Sequence, residues 1–263
     1  MKILAIGDFH GKIPTKLKRK LKRVEFDVVL CVGDLYNTTL LRKLAFKYWD
    51  SDKKLEDIIG KTKLKRIELR SFKTAKPIIA FLSELKKPVY LIFGNEKKQK
   101  IKRKGISPMD RKIMQLNSYQ LLALSGYRGV AEKGIIKPRK KGEQKKHQRT
   151  NRLWNIKLAR LFKRVKNNKK AIILVHDPPR GCKLDKVRNK ASPMNGKHMG
   201  DEYFAKYIKK YQPLLVVCGH MHENQGKCSI GKSLIINPGP AYGGKAAIIE
   251  LEGKKIKRVK FLE

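Results

Sequence analysis

Five short segments of this sequence place metal-binding side chains just after an apolar run: "GDFHG" at 7–11, "VGDLYN" at 32–37, "FGNEKK" at 93–98, "VHDPP" at 175–179 and "CGHMHEN" at 218–224. Together they supply the carboxylates of Asp8 and Asp34, the amide of Asn95 and the imidazoles of His10, His176, His220 and His222. Carboxylate, imidazole and amide oxygen suit Mn²⁺, Fe²⁺, Co²⁺ and Zn²⁺. No thiol is required, which separates the set from a structural cysteine zinc site. Seven ligands are too many for one ion but fit two if one carboxylate bridges. Taken singly, each segment has a plainer explanation: Gly-Asp ends many strands, and a lone histidine such as His176 is often a satisfied core residue. All five recurring at the ends of apolar runs is what points to one shared site. His220 and His222, two residues apart, face the same way on a strand or extended turn.

The elements that must hold these residues alternate between strand and helix. "KILAIGD", "FDVVLCVGD", "KPVYLIFGN", "YQLLALSGY", "KAIILVHD" and "PLLVVCGHMH" read as strands, several of them apolar on both faces. "KLKRKLKRV" and "AKPIIAFLSEL" read as helices. "NRLWNIKLARLFKRVK" reads as an amphipathic helix with Leu153, Ile156, Leu158, Leu161 and Val165 near one face. "CSIGKSLIINPGP" and "GGKAAIIELEGKKIKRVKFLE" read as closing strands joined by glycine turns. Alternating strands and helices predict an α/β architecture with a mixed sheet. In such sheets ligands sit beyond the carboxyl ends of the strands, where all five segments fall.

The chain has 263 residues, 41% of them hydrophobic, enough for a single domain over 1–263. Two stretches, about 36–72 and 97–151, look like basic insertions, the second partly disordered. No apolar stretch approaches the ~20 residues of a membrane helix. The opening "MKILAIGDFHG" reads as a first strand, so a cytoplasmic location without a membrane partner is expected. Cys31, Cys182, Cys218 and Cys228 form no CxxC pair and are expected to be reduced. Lys and Arg number 64 against 22 Asp and Glu, a net charge of +42. That field attracts polyanions, so nucleic acid is a candidate partner through the runs at 97–104 and 139–149. A lysine-rich, solvated surface accounts for the charge equally well.

The pattern "GDFHG…VGD…GN…VHD…GHMH" resembles the calcineurin-like metallophosphoesterases, whose motifs are D-x-H, G-D, G-N-H, H and G-H-x-H. The later part, "HDPPRGCKLDKV…HMGDEYFAKYIKKYQPLLVVCGHMHENQG…NPGPAYGG", is similar to small prokaryotic, largely archaeal, members of that superfamily. The resemblance spans both ends of the chain but not the basic insertions. It implies an α/β/β/α sandwich with mixed sheets. It also implies that Asp8, His10 and His222 hold one metal, that Asn95, His176 and His220 hold the other, and that Asp34 bridges them. The implied cofactors are two divalent ions, Mn²⁺ favoured, with Fe²⁺, Co²⁺, Zn²⁺, Ni²⁺ or Mg²⁺ as alternatives. Two dications ~3.5–4 Å apart clamp a phosphate and lower the pKa of a shared water toward neutrality for in-line attack. They also neutralise charge developing on the phosphoryl oxygens.

The expected activity is therefore a metal-dependent phosphoesterase acting on a phosphate-ester substrate by hydroxide attack, with phosphodiesters favoured. The alternatives are a nuclease or RNA-processing phosphodiesterase that uses the basic insertions, and a degenerate metal-binding scaffold. One departure stands out: the histidine that often follows the G-N asparagine is here Glu96. An ionised Glu96 facing the site would repel phosphate unless turned away or paired, with Lys97, Lys98 and Arg180 as candidate partners. His198 in "KHMGD" matches a histidine of the closer relatives and is either near the substrate or an exposed loop residue. Asp177 is either an orienter of a ligand or a turn residue before Pro178. "NPGPAYGG" reads first as a loop crossing near the metals, and His147 has no assigned role.

Overall fold

A computed structural model describes all residues except 49–50, 52, 97–99, 127, 129–132, 134–142, 189 and 191–193. The strands are β1 (Lys2–Ile6), β2 (Val28–Cys31), β3 (Val89–Leu91), β4 (Ile106–Pro108), β5 (Lys112–Leu116), β6 (Tyr119–Leu124), β7 (Ala171–Val175), β8 (Leu215–Val217), β9 (Gly226–Ile230), β10 (Ser233–Asn237), β11 (Ala246–Glu252) and β12 (Lys255–Leu262). The α-helices are α1 (Thr15–Arg23), α2 (Thr39–Lys47), α3 (Leu55–Ile59), α4 (Lys61–Lys73), α5 (Lys76–Glu84), α6 (Glu143–Lys163) and α7 (Glu202–Tyr211).

The strands form two six-stranded mixed sheets, ordered β12-β11-β1-β2-β3-β4 and β5-β6-β7-β8-β10-β9. β1 to β4 run parallel to one another, as do β6, β7, β8 and β10. Alternation along each strand sorts side chains into layers. Ile3 and Ala5 of β1 and Leu30 of β2 turn inward, where they meet Leu121, Ile172, Leu174 and Leu215 of the other sheet. Leu4, Ile6 and Val29 turn outward onto Leu17 and Leu21 of α1 and Ile78, Phe81 and Leu82 of α5. On the far side Leu122, Ile173 and Val175 pack under Leu158 and Phe162 of α6 and Phe204 and Ile208 of α7. The result is the expected α/β/β/α sandwich. Covering both faces of each sheet explains why the strands read as continuous apolar runs. Leu30 is fully buried between the sheets, so Leu30→Ala would leave a cavity costing about 2–5 kcal/mol.

Helix chemistry fits these positions. α1 buries only Leu17 and Leu21, one turn apart, and shows lysine and arginine elsewhere. α5 carries Pro77 in its first turn, where the missing N–H costs nothing. At the start of α7, the Asp201 carboxylate accepts the Tyr203 and Phe204 amides at 2.8 and 3.1 Å.

The structure departs from the sequence reading in two places. Inside the stretch taken as a basic insertion, residues 106–116 supply β4 and β5 to the two sheets, alongside the expected strand β6. β4 and β5 are short and half exposed, so their apolar alternation is faint among the lysines. Partial disorder is expected somewhere in 97–151; of that stretch, 97–99, 127, 129–132 and 134–142 lie outside the described residues. In α6, Leu153 and Ile156 are exposed, and the packed face is Trp154, Leu158, Leu161 and Phe162, rotated by about one residue. In the 36–72 stretch Tyr36 joins the core and Phe72 packs against it, while α2 and α3 bury no residue and α4 only Ser71. All four cysteines are free. Among the described residues no helix is long and apolar enough to cross a membrane.

Candidate metal centre

The loops that follow β1 and β2 are laced together. The amides of Asp8, Phe9, His10 and Gly11 donate to the carbonyls of Gly33, Asp34, Asp34 and Leu35 at 2.8–3.0 Å. Across the sandwich, His176 Nδ1 donates to the Val32 carbonyl at 2.7 Å. The His220 amide donates to Asp8 Oδ2 at 3.1 Å. Both sheets thus deliver their strand ends to one place.

The backbone there is bent in an uncommon way. Asp8, His10, Asp34 and His220 have φ of 51°, 45°, 51° and 68°. Left-handed geometry is unfavourable for residues with a Cβ, and single strained residues of this kind cluster at functional sites. Gly94 explains the closeness of the third loop: a Cβ there would lie 2.3 Å from Asp34 Oδ1 and 2.9 Å from the His176 ring. Only glycine lets the Asn95 loop approach the carboxylate.

The side chains converge as donors facing donors. Asp8, His10 and His222 offer ligand atoms within 4.8 Å of one another, and so do Asp8, Asp34 and His176. His10 Nε2 faces His222 Nε2 at 3.0 Å, and His220 Nδ1 faces His176 Nε2 at 3.2 Å. Asp34 Oδ2 lies 3.7 Å from His10 Nε2 and 3.5 Å from His176 Nε2, between the two histidine pairs. The Asn95 amide oxygen points at both Asp34 oxygens, although its nitrogen, turned over, would donate to them at 2.7 and 2.8 Å. Imidazole nitrogens and carboxylates brought this close in two adjoining sets are donor atoms that a pair of cations would satisfy, so the residues present fit two divalent ions. His176 strengthens the fit: its bonded Nδ1–H fixes the tautomer that leaves Nε2 free as a ligand.

The electrostatics carry the same message. Burial opposes a charge on His176, but Asp34, Asp8 and Asp177 overcome it and raise the pKa to about 10. Burial opposes the charge on Asp34 too, yet His176, His10 and His220 hold it down at about 2. Burial followed by the His176 charge pushes His220 well below its ordinary value. The cluster selects for positive charge next to its carboxylates and admits only part of it as protons.

Several neighbours were less legible in the sequence. Glu96 is turned into the protein: its two oxygens accept the Leu35 and Tyr36 amides, each at 2.8 Å. Burial and then Asp34 raise its pKa to about 9. Of its expected partners, Arg180 instead lies 3.5 Å from Glu202, and Lys97 and Lys98 are outside the described residues. His198 is bonded through Nδ1 to Asp185 Oδ1 at 2.6 Å and belongs to neither ligand group. Asp177 takes the buried Lys133 ammonium at 2.8 Å and sets its other oxygen 3.9 Å from His220 Nε2, so it stands beside a candidate ligand. Lys133 was lost among 64 cations in the sequence, as was Arg128, which is fully buried against Asp201 at 2.8 Å and Glu202 at 2.9 Å. The "NPGPAYGG" loop crosses beside the site and places the Tyr242 hydroxyl 3.4 Å from His222 Nδ1. Arg42 at the start of α2 is close enough for its charge to act on both His10 and Tyr242. His147 lies on α6.

A family model described as metallophosphoesterase, calcineurin superfamily, matches residues 1–261. Among solved structures, one crystal structure aligns over 100% of this chain and 99% of its own with a TM-score of 0.66 at 16% identity. A dimetal phosphatase from Danio rerio aligns over 100% of this chain and 96% of its own, with a TM-score of 0.53 at 11% identity. The protein TT1561 of Thermus thermophilus aligns over 98% and 97%, with a TM-score of 0.51 at 15% identity. At these identities the likeness is one of fold. No curated protein matches the sequence. With its motifs at the ends of five strands and the family model covering nearly its whole length, the chain belongs to the calcineurin superfamily of metallophosphoesterases.

Proposed function

We propose that this protein hydrolyses phosphate esters with two divalent ions, Mn²⁺ favoured, and prefers phosphodiesters. The observation that carries the reading is the pair of facing donor sets, His10 with His222 and His176 with His220, on either side of Asp34. Asp8, His10 and His222 would hold one ion, Asn95, His176 and His220 the other, and Asp34 both. Ions held there supply positive charge to the phosphoryl oxygens and acidify an attacking water. The chain's own part is to fix this geometry on strained, interlocked loops, to set the Asp177 charge near His220, and to bring Tyr242 beside His10. Glu96 is committed to the Leu35 and Tyr36 amides, so position 96 offers no imidazole acid for a poor leaving group. A diester, with one charge fewer than a monoester, asks less of such a site. The four free thiols favour a reducing compartment, the cytoplasm.

The test is metal content together with hydrolysis of bis(p-nitrophenyl) phosphate and p-nitrophenyl phosphate, with and without Mn²⁺. Two bound ions and faster diester turnover are expected. A purified chain that binds no divalent ion would end the reading.

A second reading makes the diester a nucleic-acid backbone. It is favoured by the net charge of +42 and by α1, whose exposed face carries Lys16, Arg19, Lys22 and Arg23 with no acid. Binding to single-stranded RNA should then weaken with salt, with a log–log slope of about −0.7 per phosphate contacted. No binding at low salt would remove it.

A further inference from the structure

Next to the candidate metal centre lies a cavity of about 320 Å³ that the proposed hydrolysis does not yet use. Asn95 and Glu96 both line it, so it lies beside the candidate ligand Asn95. Tyr36 and Phe72, which meet edge to face with ring centroids 5.9 Å apart, line it as well, with Leu41 of α2 and Leu69 of α4. The volume is at the lower end of the ~300–1,000 Å³ typical of small-molecule sites.

The helices that build it have little else to do. α2 buries no residue and α4 only Ser71, and Leu69 is 54% exposed. An apolar side chain left that open contributes little to folding, since the stabilisation scales with area removed from water. Its use lies in what it meets when the cavity fills. The cavity shares its wall with the phosphate-handling residues, so its natural occupant is whatever the phosphate carries.

We infer that this cavity is the specificity pocket for the organic group of the ester, and that it selects an apolar, ring-bearing group. The inference rests on the phosphoesterase reading. A ring would lie over Tyr36 and Phe72 between the two leucines, with its phosphorus at the Asn95 end. Lys65 and Glu68, also on α4, line the same cavity and supply its charged part.

The experiment compares the binding of two non-hydrolysable probes, methylphosphonate and benzylphosphonate, to the Mn²⁺-loaded protein by calorimetry, in parallel with bis(p-nitrophenyl) phosphate hydrolysis. Burying the ring should favour benzylphosphonate by roughly tenfold or more. Leu69→Asp, at an exposed position that tolerates charge, should bring the ratio to within about twofold of one. Leu41→Trp, which fills the cavity, should do the same. Leu40→Asp is the control: Leu40 is 53% exposed on the same helix and does not line the cavity, so the ratio should hold. Equal binding of both probes by the wild type overturns the inference, as does a ratio that Leu69→Asp and Leu40→Asp change alike. Where diesters are hydrolysed but the ratio is one, the pocket alone fails. Where neither probe binds and no ester is cleaved, the phosphoesterase reading fails and takes the pocket with it.

Discussion

In the loops after β1, β2 and β8, Asp8, His10, Asp34 and His220 sit in left-handed backbone, tied to neighbouring loops by main-chain hydrogen bonds. In the segment from α2 to α4, the backbone is mostly regular helix, yet that regular structure buries almost nothing. Sequence propensity would rank the second region as the better behaved. The physics ranks them the other way. Strain of ~1–3 kcal/mol per residue persists only where the surroundings over-determine it, and a helix with no buried face depends on little but its own weak propensity. The irregular loops are therefore the rigid part of the site, and the helices are the part free to vary with substrate.

The largest expected effect breaks the rigid region at its shared ligand. Asp34→Asn keeps the size of the side chain but removes the charge that lies between the two histidine pairs. Both ions should be lost in metal analysis and turnover abolished, whereas Asp8→Asn should mainly deplete one. Two retained ions and near-normal rate in Asp34→Asn would mean that the bridging role is wrong.

A glycine pair sharpens the contrast. Gly94 and Gly60 both have positive φ, 63° and 85°, but a Cβ on Gly94 meets Asp34 Oδ1 at 2.3 Å while one on Gly60 meets nothing within 4 Å. Gly94→Ala must push apart two loops of the site, and a displacement of ~1 Å there can cost ~10²-fold in rate. Gly60→Ala carries only the cost of placing a Cβ in a positive-φ, extended-ψ backbone (φ 85°, ψ 137°) that glycine alone adopts readily, and should lower Tm with kcat/KM unchanged. Equal losses in both variants would dissolve the distinction between the regions.

Proton linkage gives a smaller, titratable effect confined to the loops. With the site free of metal, His176 is raised from 6.5 to about 10. It holds a proton at pH 8 that a dication should displace, so Mn²⁺ binding should release a proton and tighten as pH rises toward about 10. Through His176 the metal-free fold keeps, between about pH 6.5 and 10, a proton that the unfolded chain has lost, so this contribution to stability is full below 6.5 and is lost as pH rises through 10. Asp34 works at the other end: held at about 2, it adds stability above its ordinary 3.8 that is lost as pH falls through 2. Calorimetry in buffers of different ionisation enthalpy counts the released protons, and a count of zero at pH 8 would contradict the assigned environments.

How much of this was readable in the sequence follows from the same contrast. β1, β2, β7 and β8 are buried on both faces, so their apolar runs stand out, and the polar residues at their ends mark the site. β4 was hidden because it is only Ile-Ser-Pro, and β5 because this half-exposed edge strand mixes Lys112 and Gln115 with its apolar residues. Lys133 and Arg128 were hidden by number, since nothing in "SGYRGVAEKG" distinguishes a buried cation from the many exposed ones. The role of Glu96 was unreadable for another reason: it depends on which way a side chain turns, and motif spacing does not record direction.

Glu96 also yields the smallest expected effect, one that tests whether the rigid loops extend this far. Both of its oxygens accept main-chain amides, Leu35 and Tyr36, on the loop that carries Asp34. A glutamine at this position can accept one amide through its oxygen but turns an NH₂ donor toward the other. A buried donor left without a partner costs about 1–3 kcal/mol. Glu96→Gln should therefore lower stability by that amount, with a correspondingly modest loss of kcat and little change in KM. Glu96→His, which would supply an imidazole acid if the side chain faced the substrate, should not rescue esters with poor leaving groups, because the position points inward. The measurement is thermal stability alongside kcat and KM over a leaving-group series for the three proteins. A selective rise for poor leaving groups in Glu96→His would show that position 96 reaches the substrate. The Asp34 loop would then be held by something other than this carboxylate.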